Sequence, residues 1–119
     1  ASARLLAHSG PMVRGIYLTL HAVLNQPLPA GTVQAAVQAA YGDRPLIHIT
    51  AEPPELTHAA LSSYALIHAA QSPDGREVQV MIAIDNLLKG AAGQAVQGMN
   101  LALGWPETCG LATLGGYPC

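Results

Sequence analysis

The sequence is short of aromatic and of charged residues. Phenylalanine is absent and aromatic residues make up 4% of the 119 positions, so a core has to be built from Leu, Ile, Val, Ala and Met. Charged residues make up 10% of the chain, against roughly 25% in an average soluble domain. Two explanations stay open: either another surface covers much of this one, or the composition reflects a general bias toward alanine.

Other absences exclude whole classes of function. Five Lys and Arg stand against seven Asp and Glu, a net charge of -2 with no basic stripe, so nucleic-acid binding has no electrostatic support. No apolar run reaches the roughly 18 residues that a membrane span needs. The opening ASARLLAHSG lacks the apolar centre of a signal peptide, and the missing initiator Met suggests a cut or processed chain. We therefore expect a cytoplasmic protein.

The two cysteines predict no metal site. Cys109 and Cys119 lie ten residues apart near the end of the sequence, a spacing that fits no zinc motif. A disulfide between them is an alternative, but a cytoplasmic chain is expected to keep both thiols reduced. The five histidines do not form a metal-binding pattern either. His21, His48 and His68 fall in predicted strands, and His8 and His58 in predicted loops, so no histidine is assigned a catalytic role.

The hydrophobic pattern predicts an α+β fold with a mostly antiparallel sheet and helices on one face. Strands are predicted at 13–24, 44–50, 63–71 and 76–84, the last two joined by the tight turn SPDG. One helix is predicted between Thr32 as its N-cap and Gly42 as its C-cap. Its apolar face is formed by Val33, Ala36, Val37 and Ala40. A second helix is predicted from Asn86 to about Leu103, and it could leave the sheet to pack elsewhere.

The start of the second helix is unusual. Asp85 stands where an N-cap belongs, just after the last strand. Gly90 and Gly93 follow within the helix, although each glycine costs about 1 kcal/mol there relative to alanine. Glycine is tolerated where something approaches the backbone closely. That neighbour is either another packed element of the protein or a bound cofactor, and the spacing does not choose between them.

Two long motifs resemble one enzyme family. The stretch AIDNLLKGAAGQAVQGMNLALGWPETCGL, residues 83–111, and the stretch PMVRGIYLTL, residues 11–20, resemble N-acetyl-gamma-glutamyl-phosphate reductase, a member of the semialdehyde dehydrogenase superfamily. The family reduces an acyl phosphate to a semialdehyde with NADPH in arginine biosynthesis. A sister group with a similar tail acts on carrier-bound aminoadipyl phosphate in lysine biosynthesis.

The resemblance implies a division of the chain and a set of site residues. Residues 1–84 would be part of the α+β catalytic and dimerisation domain, and residues 85–119 a helix and tail returning to a dinucleotide-binding domain that is absent here. Asn86 would contact the nicotinamide end of NADP, beside a close-packed face of Gly90, Ala91 and Gly93. Arg14 would bind an anionic group of the substrate or fix the dimer interface, since guanidinium suits phosphate and carboxylate. A surface ion pair is the alternative for Arg14.

Several family motifs are missing, and this limits what the chain does alone. The glycine-rich fingerprint of the cofactor domain, the G-C-Y-P-T block with the nucleophilic cysteine and the H-R-H block with the general base are absent. We therefore predict no catalytic residue in this chain and no activity from it alone. The chain is expected to be the C-terminal portion of an oligomeric NADP-dependent reductase for a small acyl phosphate. The alternative is a non-catalytic dimerisation module.

Overall fold

A computed structural model of the chain describes residues 1–8 and 10–111. Its elements are β1 (Ser2–His8), β2 (Ile16–Val23), α1 (Thr32–Tyr41), β3 (Ile47–Ile49), α2 (Leu56–Ala59), β4 (Ala65–Gln71), β5 (Glu77–Ile84), a π-helical turn (Leu88–Ala92) and α3 (Gly93–Ala102). The strands form one five-stranded sheet in the order β1-β2-β5-β4-β3. Only the β3–β4 pair is parallel among these five strands. The prediction of a mostly antiparallel α+β fold is confirmed.

The two faces of the sheet differ sharply in chemistry. The apolar face combines residues that the strand register places side by side: Leu5, Ala7, Ile16, Leu18, Leu20, Ala22, Ala65, Ile67, Ala69, Val78, Val80, Ile82 and Ile84. The opposite face carries most of the polar side chains, including Arg4, His8, Thr19, His21, His68, Glu77 and Gln79. Because successive strand residues alternate between faces, each strand contributes to both sets.

Helix α1 covers only part of the apolar face. It packs against β4 and β3, and its Val33 forms a core with Ala69 and Val78. The part of the face formed by β1 and β2 stays accessible: Leu5 is 62% exposed, and every residue of β2 is at least partly exposed. A contiguous exposed apolar surface of this kind commonly marks a site of association with another molecule.

The helix prediction needs two corrections at α1. Thr32 is the first helical residue and not the N-cap, which is Gly31 in a left-handed conformation. The Thr32 hydroxyl instead donates a hydrogen bond to the carbonyl of Pro29, at 2.7 Å. Ala36 and Ala40 are exposed, so the buried side of α1 rests on Val33 with the partly buried Val37. Gly42 is the C-cap, as predicted.

The sequence pattern missed two elements. Residues 1–8 contain β1, an edge strand whose seven residues are all exposed, and His8 is its last residue and not part of a loop. The one-turn helix α2 follows the predicted loop at 51–56 and packs against β5. There Ala59 forms a second core with Leu66 and Ala83. Since Leu66 and Ala83 point to the polar face, α2 and α1 lie on opposite faces, and the expectation of helices on one face fails for α2.

The last helix also differs from its prediction at the start. It begins with a π-helical turn at Leu88, two residues later than predicted, and α3 ends at Ala102. None of the helices in the described residues has both the length and the apolar character needed to span a bilayer.

The turn between β4 and β5 explains the need for one glycine. Asp74 accepts hydrogen bonds from the Ser72 hydroxyl and the Arg76 amide, as the SPDG pattern predicts. Gly75 has a φ of 71°, and its carbonyl accepts from the amide of Leu28 at 2.9 Å. A Cβ at Gly75 would overlap the carbonyl oxygen of Leu28. This turn therefore ties the sheet to the loop that leads into α1.

Gly75→Ala is expected to destabilise the protein. The left-handed backbone alone costs a non-glycine residue about 1–2 kcal/mol, and the overlap with Leu28 adds to this. Gly98→Ala is the matched control, because a Cβ on this helical glycine meets nothing within 4 Å; it should stabilise by up to about 1 kcal/mol. Urea unfolding measures both free energies, and equal stability of Gly75→Ala and the unsubstituted protein would contradict the role of the turn.

Candidate functional site

A buried carboxylate stands at the junction between β5 and the last helix. Asp85 is 0% exposed. Its Oδ2 accepts hydrogen bonds from Arg14 Nε at 2.9 Å and from the Leu61 amide at 2.7 Å. Its Oδ1 accepts from Arg14 Nη2 at 2.7 Å and from the amides of Leu87 and Leu88 at 2.9 and 2.8 Å. The N-cap is Leu87 and not Asp85 as predicted, because the helix starts two residues later. Asp85 nevertheless accepts from two amides at the helix entry, within a larger set of contacts that joins three segments of the chain.

These contacts keep Asp85 ionised. Burial raises the pKa of this carboxyl. The Arg14 guanidinium and the amides of Leu88, Leu61 and Leu87 together lower it by more than burial raises it, so the pKa falls from 3.8 to about 2. A carboxylate that accepts several N–H bonds and faces a guanidinium commonly behaves in this way. At neutral pH the pair is therefore a bidentate ion pair between two charged groups.

Arg14 forms an ion pair, but not a surface one. Its side chain is 24% exposed and that of Asp85 is 0% exposed. Beside the pair lies an open, mostly apolar groove of about 260 Å³, lined by Met12, Val13, Arg14, Leu56, Thr57 and Ala60. The guanidinium therefore stands at the wall of a groove while its orientation is fixed from behind by Asp85. Its predicted contact with a substrate stays a prediction.

Asn86 connects to the residue next to Arg14. Its Oδ1 accepts a hydrogen bond from the Gly15 amide at 3.0 Å. Gly15 has a φ of 110°, and a Cβ there would come within 2.7 Å of a methyl group of Leu56. Only glycine fits this close approach, so the R-G pair in the PMVRGI motif has a structural reason. The Asn86 amide nitrogen, with two N–H donors, points the other way from its oxygen.

The glycines of the last helix fall into two environments. Gly93 is buried, and a Cβ on it would lie 2.9 Å from the Ser63 hydroxyl and 2.8 Å from the Leu88 carbonyl. Gly90, Ala91 and Ala92 are exposed. Close packing within the chain therefore accounts for Gly93. It contributes at Gly90 too, where a Cβ would lie 3.3 Å from the Asp85 carbonyl oxygen, whereas the outer side of this exposed run is open to a neighbour.

The turn from Leu88 to Ala92 has the hydrogen-bond spacing of a π-helix. The amides of Gly90 and Ala92 donate to the carbonyls five residues earlier, on Asp85 and Leu87, both at 2.8 Å. π-Helical turns are rare and occur mostly as single turns near functional sites. This one brings the helix start against Ser63, in the segment between α2 and β4.

Sequence reasoning missed the part that Leu61 plays. This residue has a φ of 57°, the sole positive value for a non-glycine residue in the described ranges. Such a conformation costs a bulky side chain about 1–3 kcal/mol and persists where surrounding contacts enforce it. The contact here is the 2.7 Å hydrogen bond from its amide to Asp85. No local pattern signals this, because the partner lies 24 residues away.

Polar contacts continue along the last helix. Lys89 donates to the Gln97 side chain at 2.6 Å, and Gln97 donates to Glu107 at 2.6 Å. Asn100, which is buried, donates to the carbonyls of Glu107 and Cys109. The first part of the tail after α3 is therefore held against the helix as far as Cys109.

The histidines and Cys109 carry side chains that can bind a metal ion or hydrogen-bond with other groups. Within residues 1–8 and 10–111, no group of three or more His, Cys, Asp or Glu could hold a metal ion. His8 contacts Thr19, His21 contacts Glu77, and His68 contacts the Thr50 carbonyl. Cys109 is exposed. Cys119 lies outside the described residues, so the expectation that both thiols are reduced stays a prediction.

Asp85→Asn is expected to lower stability at neutral pH and much less in acid. Because the folded-state pKa lies below the unfolded one, ionised Asp85 stabilises the fold above about pH 4, and this contribution disappears as the pH falls toward 2. The loss at pH 7 should be on the order of 2 kcal/mol. Urea unfolding at pH 7, 4 and 2.5 should show the variant and the unsubstituted protein converging.

Asp74→Asn is the matched control for this series. Asp74 also caps a turn and also has a lowered pKa, owing to its hydrogen bond from Ser72, but it is exposed. Its substitution should change stability less than that of Asp85 at pH 7. A constant difference between Asp85→Asn and the unsubstituted protein across the three pH values would contradict the ionic role of Asp85.

The chain matches one known protein family. The family profile described as "Semialdehyde dehydrogenase, dimerisation domain" matches residues 1–86. An N-acetyl-gamma-glutamyl-phosphate reductase of Streptococcus sanguinis is 41% identical over 107 residues, covering 90% of this chain and 32% of the relative. The same enzyme of Methanosarcina acetivorans is 40% identical, covering 87% of this chain and 31% of the relative.

A further relative is named for a different substrate, and a solved structure shares the fold. A protein of Thermomicrobium roseum, provisionally named a (LysW)-L-2-aminoadipate 6-phosphate reductase, is 45% identical, covering 89% of this chain and 33% of that protein. Aspartate semialdehyde dehydrogenase II of Vibrio cholerae superimposes with a TM-score of 0.59 at 20% identity, covering 78% of this chain and 28% of that one.

The chain spans about a third of the length of the curated relatives that it matches. The match at residues 1–86 includes the whole sheet, and the matches to the reductases extend over about nine-tenths of the chain. This chain belongs to the semialdehyde dehydrogenase dimerisation-domain family.

Proposed function

We propose that this chain is the C-terminal portion of an NADPH-dependent N-acetyl-gamma-glutamyl-phosphate reductase of arginine biosynthesis. The supporting observation is identity of about 40% to such reductases over about nine-tenths of the chain. The convergence of Arg14, Asp85 and Asn86 adds support, because it joins the two sequence motifs that resemble the family. We place the protein in the cytoplasm.

In the complete reaction, the bond from the acyl carbon to the phosphate oxygen is replaced by a bond to hydrogen. A cysteine thiolate of the enzyme displaces phosphate to form a thioester; a hydride and a proton then convert the thioester into the aldehyde and the thiol. NADPH supplies the hydride when bound. The thiolate and the phosphate-binding loop belong to regions outside this chain, so its own residues bind, orient and exclude water.

The residues beside Asn86 fit a nicotinamide cofactor. The Asn86 oxygen accepts from Gly15, which leaves the NH₂ group to donate to a carbonyl such as that of a carboxamide. Gly90 and Ala91 are exposed and carry at most a methyl group, so a flat ring can approach the backbone. We assign cofactor contacts to Asn86, Gly90 and Ala91, with Gly93 setting the position of the turn from its buried side.

Arg14 is proposed to face the substrate. It stands at the wall of the apolar groove, where a guanidinium can attract a phosphate or carboxylate. The ion pair with Asp85 fixes its direction, and it reduces the net charge that an anion would meet. Arg14 therefore contributes mostly geometry and hydrogen-bonding direction.

The position of α3 supports the proposed division of the chain. This helix runs on directly from the π-helical turn and makes few contacts with the strands of the sheet. Large apolar side chains remain exposed along and after it: Met99, Leu101, Leu103 and Trp105. We propose that residues 85–119 pack on a dinucleotide-binding domain of the complete enzyme and that residues 1–84 form the sheet domain.

The apolar face is proposed as the dimer interface. It is continuous across β1, β2 and β5 and is only partly covered by α1. An apolar surface of this kind gains free energy, about 25 cal/mol per Å², when a second copy removes it from water. The apolar face would then be the surface for the dimerisation that the family description names.

Leu5→Lys is expected to weaken self-association. Leu5 and Leu6 are neighbours on β1, with 62% and 53% exposure, but only Leu5 pairs with Leu20 on the apolar face. Leu6→Lys on the opposite face is thus the matched control. Sedimentation equilibrium of the complete enzyme should show a raised dimer dissociation constant for Leu5→Lys alone. Equal effects of both substitutions would exclude this face as the interface.

A direct assay tests the function. The 119-residue chain alone is expected to show no turnover with N-acetyl-gamma-glutamyl phosphate and NADPH, because it lacks the nucleophile block and the phosphate loop. The complete enzyme should turn over in both directions, including from semialdehyde, phosphate and NADP. No reduction of this substrate by the complete enzyme would overturn the proposal.

The same assay decides the runner-up. Preference of the complete enzyme for the carrier-bound aminoadipyl phosphate would favour the lysine-pathway reaction, which the 45% identity to the Thermomicrobium protein makes the next candidate. A complete native protein that contains neither missing block would leave a non-catalytic dimerisation module. Intact-mass measurement of the native protein separates this case from the other two.

A further inference from the structure

We propose that Asp85 is the positioning residue that couples the substrate-facing Arg14 to the cofactor-facing Asn86. The inference rests on the proposed reductase function and deepens it, because it assigns a role to a residue that touches neither ligand. Its basis is the set of hydrogen bonds that meet at one buried carboxylate.

The two oxygens of Asp85 connect Arg14 to two different segments. Oδ2 is shared between Arg14 and the amide of Leu61, at 2.9 and 2.7 Å. Oδ1 is shared between Arg14 and the amides of Leu87 and Leu88, at 2.7, 2.9 and 2.8 Å. Since a bidentate pair aligns the carboxylate and guanidinium planes, the backbone contacts that hold Asp85 also determine where Arg14 points.

A second hydrogen bond lies beside the ion pair of Arg14 and Asp85. Asn86, which follows Asp85, accepts at 3.0 Å from the amide of Gly15, which follows Arg14. Two dipeptides that lie 71 residues apart are therefore joined at both positions. A shift of Arg14 carries Gly15 with it, and Gly15 in turn moves the oxygen acceptor of Asn86.

Capping of the helix entry alone does not require a charged residue at this position. Asn also caps helices well and could accept from Leu87 and Leu88. An amide, however, cannot form the charge-assisted bidentate pair with Arg14 and accept from Leu61 as well. The charge of Asp85 is thus needed for the link to Arg14 and not for the cap, and this difference makes Asp85→Asn a selective probe.

In the complete enzyme, Asp85→Asn should therefore affect both ligands. We expect the KM for the acyl phosphate and the dissociation constant for NADPH each to rise by about 5-fold or more, the usual lower range for coupling between sites. The value of kcat/KM should fall by roughly 10- to 100-fold, as small misplacements of reacting groups do. Asp74→Asn, at the far end of the β4–β5 hairpin, is the matched control and should change none of these.

A double-mutant cycle separates positioning from a general structural role. Arg14→Lys keeps the charge but loses the bidentate pair, so it should weaken NADPH binding although Arg14 is not placed on the cofactor. In the Asp85→Asn background the same Arg14→Lys change should have little further effect on NADPH. NADPH affinity is measured by fluorescence titration, independently of turnover, and melting temperature is followed for every variant.

Each outcome gives a decision. Lower melting temperature of Asp85→Asn with unchanged KM and unchanged NADPH affinity would show a structural role only and overturn the proposal. Additive effects of Arg14→Lys and Asp85→Asn on NADPH affinity would overturn it too. Absence of turnover by the unsubstituted complete enzyme overturns the proposed function, and the positioning role with it; turnover by that enzyme with an inert Asp85→Asn overturns the positioning role alone.

Discussion

The burial of one ionised carboxylate governs how the functional end of this domain is built. Removing a charge from water is expensive unless hydrogen bonds and an opposite charge replace its hydration. Asp85 meets this requirement with the local amides of Leu87 and Leu88, and with the Leu61 amide and the Arg14 guanidinium from distant segments. The left-handed Leu61, the tight approach of Gly15 and the start of the last helix are arranged around it.

The sheet satisfies a different constraint. A chain with 10% charged residues has little polar material to spread over its surface, and the polar strand residues are gathered mainly on one face. The other face is apolar beyond the reach of α1, with Leu5 exposed at its edge. The shortage of charged residues is thus concentrated in part on one accessible face of the sheet. This favours the explanation that another surface covers this face over the explanation of a general bias toward alanine.

The sequence predicted those parts of the fold that have local causes. Strands β2, β4 and β5 and helix α1 were predictable from apolar periodicity, and the turn at Asp74 and Gly75 from its residue types. Strand β1 was not, although Leu5 and Ala7 alternate with Arg4 and His8, because its seven residues include none of the β-branched or aromatic types that mark strands. The single turn of α2 is too short for a periodic signal.

Only part of the candidate site could be predicted from the sequence, because some of its contacts are local and others join distant segments. Arg14 and Asn86 could be singled out through the family resemblance, and Asp85 as a local cap. The pairing of Arg14 with Asp85 spans 71 residues and depends on how β2 and β5 align. Close contact with Ser63 explains Gly93, and this contact too exists only in the folded chain.

The π-helical turn at Leu88–Ala92 sets the rotation of everything that follows it. A π-helical turn contains one residue more than an α-helical turn, and each α-helical residue turns the helix by about 100°. Shortening this turn by one residue would restore regular winding but would rotate α3 relative to the rest of the domain and turn Gly93 away from Ser63, which it now contacts closely. The length of the loop-to-helix junction is therefore under a phase constraint, in which insertion or deletion of a single residue is more disruptive than most substitutions.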